Sequence, residues 1–124
     1  MGDPDPRTDG AGVKRLRAAG IAVTSGVEER AAARAHQGFV SRVTKGRPAL
    51  TLKLASSLDG RIATASGESQ WITGPEARRA VHAMRARHDA VLVGAGTARA
   101  DDPSLTVRGL GMAHQPVRVV ISRR

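Results

Sequence analysis

The alternation of apolar and polar positions over residues 48–76 predicts the stretch around which the rest of the chain is organised. Apolar and polar side chains alternate through Leu50–Ala55, which is the period of a half-buried strand. Leu58–Arg61 contains Asp-Gly, which tolerates the backbone angles of a turn, and a polar loop of small residues follows. Thr73–Glu76 has the form of a capping box with proline in the first helical turn. A strand that leads through a polar loop into a helix start is a place where ligands bind.

Helices and a short strand are predicted before this stretch. Val13–Ala19 has the pattern of a short helix that stops at the next glycine, and Ile21–Thr24 has that of a short strand. Ser25–Glu28 is a second capping box, and apolar residues then recur every fourth position to about Val43. Lys45–Pro48 carries the glycine and proline that end such a helix. This long helix, over residues 27–47, is the expected linker between two domains.

Helices and strands also alternate in the second half of the chain. The predicted elements are, in order, a helix from Pro75 to about Arg87, a buried strand at Ala90–Val93, a short helix capped by Thr97 that stops before Pro103, an extended segment at Leu105–Val107 and a strand at Val117–Ile121. This alternation predicts an α/β fold.

The composition fits one small domain in a reducing compartment. The chain has 124 residues, of which 40% are apolar and only 2% aromatic, so its core is built from aliphatic side chains. There is no cysteine, which excludes disulfides and cysteine-ligated zinc. No stretch approaches the roughly 18 apolar residues of a membrane span, and the first residues lack an apolar signal region. We therefore expect no membrane contact and a cytoplasmic location.

The net charge of +9, with 17 arginines among 20 basic residues, fits phosphate and nucleic-acid partners equally well, and an arginine-biased proteome explains it too. One Phe, one Trp and no Tyr give no platform for stacking bases, and no helix-turn-helix or zinc finger is visible. We expect no specific nucleic-acid partner. A small basic nucleic-acid-binding module nevertheless stays open as an alternative, as does a non-catalytic remnant that docks on a partner chain.

Two groups of charged residues are candidates for ligand contact. Arg78, His82 and Arg85 lie on one face of the predicted helix, where guanidinium groups could hold a phosphate or simply face solvent. Lys53 lies on the polar face of the predicted strand. A lysine in a buried strand is costly unless it is paired or acts on a ligand, whereas an edge strand would leave it in water.

Other patterns in the sequence are weaker evidence of a ligand or metal site. Gly94–Arg99 begins like a dinucleotide fingerprint but has arginine in place of the third glycine, which makes it a weak Rossmann signature. Its small residues after a strand could still let a ligand approach the backbone, or the segment could be an ordinary turn between a strand and a helix. Asp101–Asp102 could bind a metal or a ribose hydroxyl, or could end a helix before the following proline. The four histidines show no metal-ligand spacing, so we expect no metal site.

Three motifs, Leu52–Arg61, Ser66–Thr73 and Asp101–Arg108, strongly resemble the bifunctional deaminase–reductase of riboflavin biosynthesis. Asp3–Pro6 and Gly20–Val23 resemble the tail of its deaminase domain. The resemblance implies a partial dihydrofolate-reductase-like reductase domain, preceded by a short α/β tail of a cytidine-deaminase-like domain. It also implies NADPH-dependent reduction of the ribosyl group of 5-amino-6-(5-phosphoribosylamino)uracil to ribityl, and allows a homo-oligomer as in the family.

The resemblance assigns domains and site residues. Residues 1–26 correspond to the deaminase tail, 27–47 to a linker helix and 48–124 to the N-terminal half of the reductase domain. Matched by motif position, the expected roles are Lys53 at the reacting ribose; Ala55, Trp71, Thr97 and Asp101 at the cofactor; and Ser69, Arg85, Leu105 and Arg108 at the substrate. The arginines would contact the phosphate of the substrate.

The chain departs from the family in two ways. It lacks the His-Ala-Glu and Pro-Cys-x-x-Cys zinc signature of the deaminase, so neither zinc nor deamination is expected. It also stops where the family's reductase domain continues. We therefore expect a fragment that is inactive by itself.

Overall fold

The computed structural model describes residues 1–123 and divides the chain into two compact units, Met1–Lys53 and Leu54–Arg124. The described part of the first unit contains helices without strands, and that of the second contains helices and a two-stranded sheet. No helix among the described residues is both long enough and apolar enough to cross a membrane.

The first unit contains the helices α1 (Ala11–Ala18), α2 (Glu29–Ala35) and α3 (Gln37–Lys45). The prediction of one continuous helix to about Val43 is wrong, because the backbone leaves helical geometry at His36, with φ −105° and ψ 18°. Neither α2 nor α3 buries a side chain, so tertiary packing does not stabilise the longer helix.

Glycines end α1 and α3 as the sequence predicts. Gly20 has a φ of 77°, and its amide donates to the carbonyl of Arg17 at 3.0 Å. Gly46 ends α3 with a φ of 64° and donates to the carbonyl of Arg42 at 3.0 Å. Both positions require positive φ, which glycine adopts without steric cost.

The second unit has the order α4 (Pro75–Ala86), β1 (Ala90–Gly94), α5 (Ala95–Asp101) and β2 (Val117–Ile121). The strands β1 and β2 are parallel, and their register runs from Ala90 opposite Val117 to Gly94 opposite Ile121. Parallel neighbours need a crossover connection, which α5 and the following loop supply. The α/β fold class and the predicted positions of α4, β1 and β2 are confirmed, but the prediction that β1 is buried is wrong, since Leu92 is 58% exposed.

Two predicted strands do not form. Among residues 1–123, neither Leu50–Ala55 nor Ile21–Thr24 is assigned as a strand, and Leu50 and Leu52 are 90% and 81% exposed. A strand is stabilised by a full ladder of backbone bonds to its neighbour, which the alternation of side chains does not itself supply. The turn at Leu58–Arg61 is confirmed, since the Gly60 amide donates to the Ser57 carbonyl at 3.0 Å.

The predicted side-chain caps are wrong as well. The N-cap residues of α2, α4 and α5 are Glu28, Gly74 and Gly94, and none of them makes a side-chain capping bond. Thr97 therefore lies inside α5 rather than at its start. Pro75 does occupy the first turn of α4, where its missing N–H costs no hydrogen bond.

The best-buried apolar side chains of the described residues are Leu105 and Val107, 7% and 6% exposed, in the connection between α5 and β2. The extended conformation predicted there is wrong at Leu105, whose φ is 53°. We call residues 105–108 the connecting segment, and it contains both of these buried side chains.

Candidate functional site

Arg85 and Arg108 come from different parts of the second unit and lie close enough for their charges to interact. Arg85, in the last turn of α4, is half-buried, and its Nη1 donates to the carbonyl of Thr106 at 3.1 Å. Burial lowers the pKa of Arg85, and the positive charge of Arg108 lowers it further. Two like charges therefore interact in this part of the second unit.

No carboxylate neutralises this pair among the described residues. The ion pair found in residues 1–123 joins Arg7 and Asp5, in the other unit. Two cations held near each other without an anion repel, and the repulsion is removed when a ligand with two negative charges binds between them. The arrangement therefore fits a phosphate group, which arginine forks contact with two hydrogen bonds each.

His82 links α4 to the connecting segment. Its Nδ1 lies 3.1 Å from the Thr106 carbonyl oxygen and 3.1 Å from the backbone nitrogen of Arg108. The predicted helical stripe thus brings His82 and Arg85 to the same short stretch of backbone. Arg78 does not join them: it donates to the Thr73 carbonyl at 3.0 Å, and its guanidinium carbon lies 4.5 Å from the centre of the Trp71 ring.

A second cluster lies in the polar loop. Residues 67–71 and Asp101 line a mainly polar pocket of about 500 Å³, which brings Ser69, Trp71 and Asp101 together. Trp71 is 69% exposed, so one face of an aromatic ring is available beside a carboxylate. Such a pocket can take a flat polar ring and a hydroxyl-bearing sugar.

The remaining predicted residues fall outside these two clusters or at their margins. Thr97 lies one helical turn before Asp101 in α5 and is exposed. Ala55 is half-buried in the extended chain that opens the second unit, and Leu105 is buried in the connecting segment. Lys53 is exposed and belongs to the first unit.

Gln115 is a residue that the sequence analysis missed. Its Oε1 accepts from the Val107 amide at 2.7 Å and its Nε2 donates to the Val107 carbonyl at 3.3 Å. Gln115 thereby holds the connecting segment from the side of the loop before β2. A single polar residue in a loop gives no signal in the sequence pattern, so only the structure reveals this contact.

Comparison with known proteins identifies the class. Residues 48–124 match the model of the RibD C-terminal domain, so the chain belongs to that family. The riboflavin biosynthesis proteins RibD of Aquifex aeolicus and Escherichia coli are 46% and 45% identical to it, over 96% and 98% of this chain. The chain spans about a third of the length of these relatives, 33% and 36%.

Solved structures agree. A Thermotoga maritima diaminohydroxyphosphoribosylaminopyrimidine deaminase/5-amino-6-(5-phosphoribosylamino)uracil reductase matches 98% of this chain with a TM-score of 0.88 and 47% identity, over 34% of its own length. Acinetobacter baumannii RibD, form 1, matches 99% with a TM-score of 0.84 and 48% identity, over 36% of its length. The expected family and fold are confirmed. The domain boundaries and the role of each site residue stay predictions.

Proposed function

We propose that this chain carries part of the substrate and cofactor sites of an NADPH-dependent reductase that converts the ribosyl group of 5-amino-6-(5-phosphoribosylamino)uracil to ribityl. The observation that carries the proposal is the pair of neighbouring arginines, Arg85 and Arg108, without a carboxylate among the described residues. The substrate named for the Thermotoga relative has a phosphoribosyl group, and its phosphate supplies the missing negative charge.

In this proposal the substrate phosphate lies between the two guanidinium groups. Arg85 is already oriented by its bond to the Thr106 carbonyl, so little side-chain freedom is lost when the phosphate binds. Leu105 has a buried side chain, and its contact with the substrate would use backbone atoms. Ser69 would donate its hydroxyl from the polar loop.

The pocket at residues 67–71 and Asp101 fits a nicotinamide cofactor. The exposed Trp71 ring can stack on a planar ring, and the Asp101 carboxylate can accept from a ribose hydroxyl. Thr97 and Ala55 would complete these contacts. NADPH supplies the hydride, and the protein supplies position and charge, with Lys53 directed at the reacting ribose.

We also propose that the chain has no reductase activity by itself. The relatives that it matches are about three times longer, and its own polar pocket is open and lined by exposed residues. The absence of cysteine argues against the family's zinc-dependent deamination. We propose a cytoplasmic location and leave a family-like homo-oligomer as part of the same proposal.

The test is a chimera in which this chain replaces the matching third of the Thermotoga enzyme. We expect the chimera to oxidise NADPH in the presence of the phosphoribosylaminouracil substrate, and the chain alone to be inactive. A chimera with the alanine variant of Arg85 serves as the matched control and should lose substrate affinity. A well-folded chimera that binds neither substrate nor NADPH would refute the proposed function.

A further inference from the structure

The connecting segment is held on two sides by side chains that no expected ligand role explains. His82 contacts it from α4, and Gln115 contacts it from the loop before β2. The same segment contains the buried side chains of Leu105 and Val107. The position of Arg108 therefore depends on backbone that is anchored immediately before it.

The hydrogen bonds around His82 select one tautomer. A ring nitrogen can accept a hydrogen bond or donate one, but a single nitrogen cannot do both. If Nδ1 accepts from the Arg108 amide, the Thr106 carbonyl is still satisfied by Arg85, so both backbone groups have a partner. If Nδ1 instead donates to Thr106, the Arg108 amide loses its bond to the ring. The arrangement with the proton on Nε2 satisfies more groups.

We propose that His82 is a positioning residue for the proposed phosphate site at Arg85 and Arg108. It acts by accepting, on Nδ1, a hydrogen bond from the backbone amide of Arg108. Repulsion between the two guanidinium groups favours movement of Arg108 away from Arg85. The bond from the Arg108 amide to His82 opposes this movement, because it fixes the backbone from which the Arg108 side chain starts. His82 itself does not touch the ligand. The inference rests on the proposed function only in taking phosphate as that ligand.

Substitutions at position 82 separate this role from simple packing. His82→Asn places an amide oxygen near the position of Nδ1 and keeps the acceptor. His82→Phe keeps a ring of similar size and removes the acceptor. His82→Gln moves the polar group outward, toward the position of Nε2. His114, an exposed histidine in the loop before β2, gives the matched control His114→Phe.

The test uses the complete 124-residue chain labelled with ¹⁵N, with inorganic phosphate and ribose 5-phosphate as probes. The first readout is the scalar coupling between the Arg108 amide nitrogen and Nδ1 of His82, which exists only if the hydrogen bond exists. The second is phosphate affinity from amide shifts. Loss of one hydrogen bond should weaken phosphate binding by about five- to tenfold in His82→Phe. His82→Asn and His114→Phe should stay near the parent affinity.

Each outcome decides something different. Parent-like phosphate affinity in folded His82→Phe, or no coupling in the parent chain, overturns the inference and leaves the proposed function standing. If His82→Phe does not fold, equal phosphate affinity in His82→Asn and His82→Gln overturns the inference, and a deficit in His82→Gln alone supports it. Coupling in a parent chain that binds neither probe supports the positioning contact and refutes the phosphate assignment.

Discussion

Replacing Arg85 or Arg108 by alanine should weaken substrate binding in both cases, but only the Arg85 replacement should lower stability. Arg85 is half-buried and bonded to the Thr106 carbonyl, so its loss removes both a phosphate contact and a structural bond. The side chain of Arg108 is exposed and adds positive charge next to Arg85. Its loss removes a phosphate contact but relieves repulsion in the free protein.

The expected magnitudes follow from these environments. A hydrogen bond to a charged group contributes about 1.5–3 kcal/mol, and about 1.4 kcal/mol corresponds to tenfold in affinity. Water screens the exposed Arg108 more strongly, so its replacement should weaken substrate binding by about tenfold. Arg85 is better shielded, and its replacement should cost about a hundredfold. Arg85→Ala should also lower the urea midpoint, whereas Arg108→Ala should leave it unchanged or raise it.

The assay measures substrate and NADPH affinities separately by calorimetry in the Thermotoga chimera, with urea unfolding as the measure of stability. Arg79→Ala is the control, because Arg79 is exposed on the same helix. This replacement removes one surface charge that water screens, so the substrate and NADPH affinities should both stay near those of the parent. Loss of NADPH affinity in place of substrate affinity, or an Arg79 effect equal to that of Arg85, would refute the assignment of the arginine pair to the phosphate.

Two further predictions concern single contacts. Hydrogen bonds from the side chain and then the backbone of Arg7 lower the pKa of Asp5 to about 2, from an ordinary value of 3.8. Asp5 therefore stabilises the fold above about pH 4, and this contribution should fade between about pH 4 and about pH 2, so urea midpoints of the parent and Asp5→Asn should converge there. At the polar loop, Arg78→Ala removes the cation that lies 4.5 Å from the Trp71 ring centre. It should change the emission of the chain's single tryptophan, and an unchanged spectrum would show that the stacking is absent in solution.

Local patterns predicted the positions of several elements. The apolar runs at Ala90–Val93 and Val117–Ile121 became the paired strands β1 and β2, and the glycines at 20 and 46 end their helices with positive φ. Leu50–Ala55 shows the limit of this reasoning. Its alternation predicted a strand, yet whether a strand forms depends on a neighbour elsewhere in the chain, which alternation does not specify.

The sequence pattern predicted only part of the candidate site, again because it does not specify contacts between distant parts of the chain. Helical spacing alone put His82 and Arg85 on one face, because their separation is local. It also included Arg78, which lies over Trp71, because spacing does not say what stands opposite each residue. Arg108 was assigned by family resemblance, since its amide meets His82 across 26 positions. The sequence pattern does not predict the hydrogen bond between Gln115 and the backbone of Val107.

The same short segment provides the two best-buried apolar side chains of the second unit and Arg108, one of the two arginines of the proposed phosphate site. Leu105 and Val107 are buried, whereas the Arg108 side chain that follows them is exposed beside a second cation. Burial of apolar side chains stabilises a fold, and uncompensated like charge destabilises it. The positive charge of Arg108 directly follows the buried residues Leu105 and Val107 in the chain. The free energy gained by burying these two side chains therefore offsets the repulsion between Arg108 and Arg85. A substitution that loosens Val107 should therefore also displace Arg108, so that stability and phosphate affinity fall together.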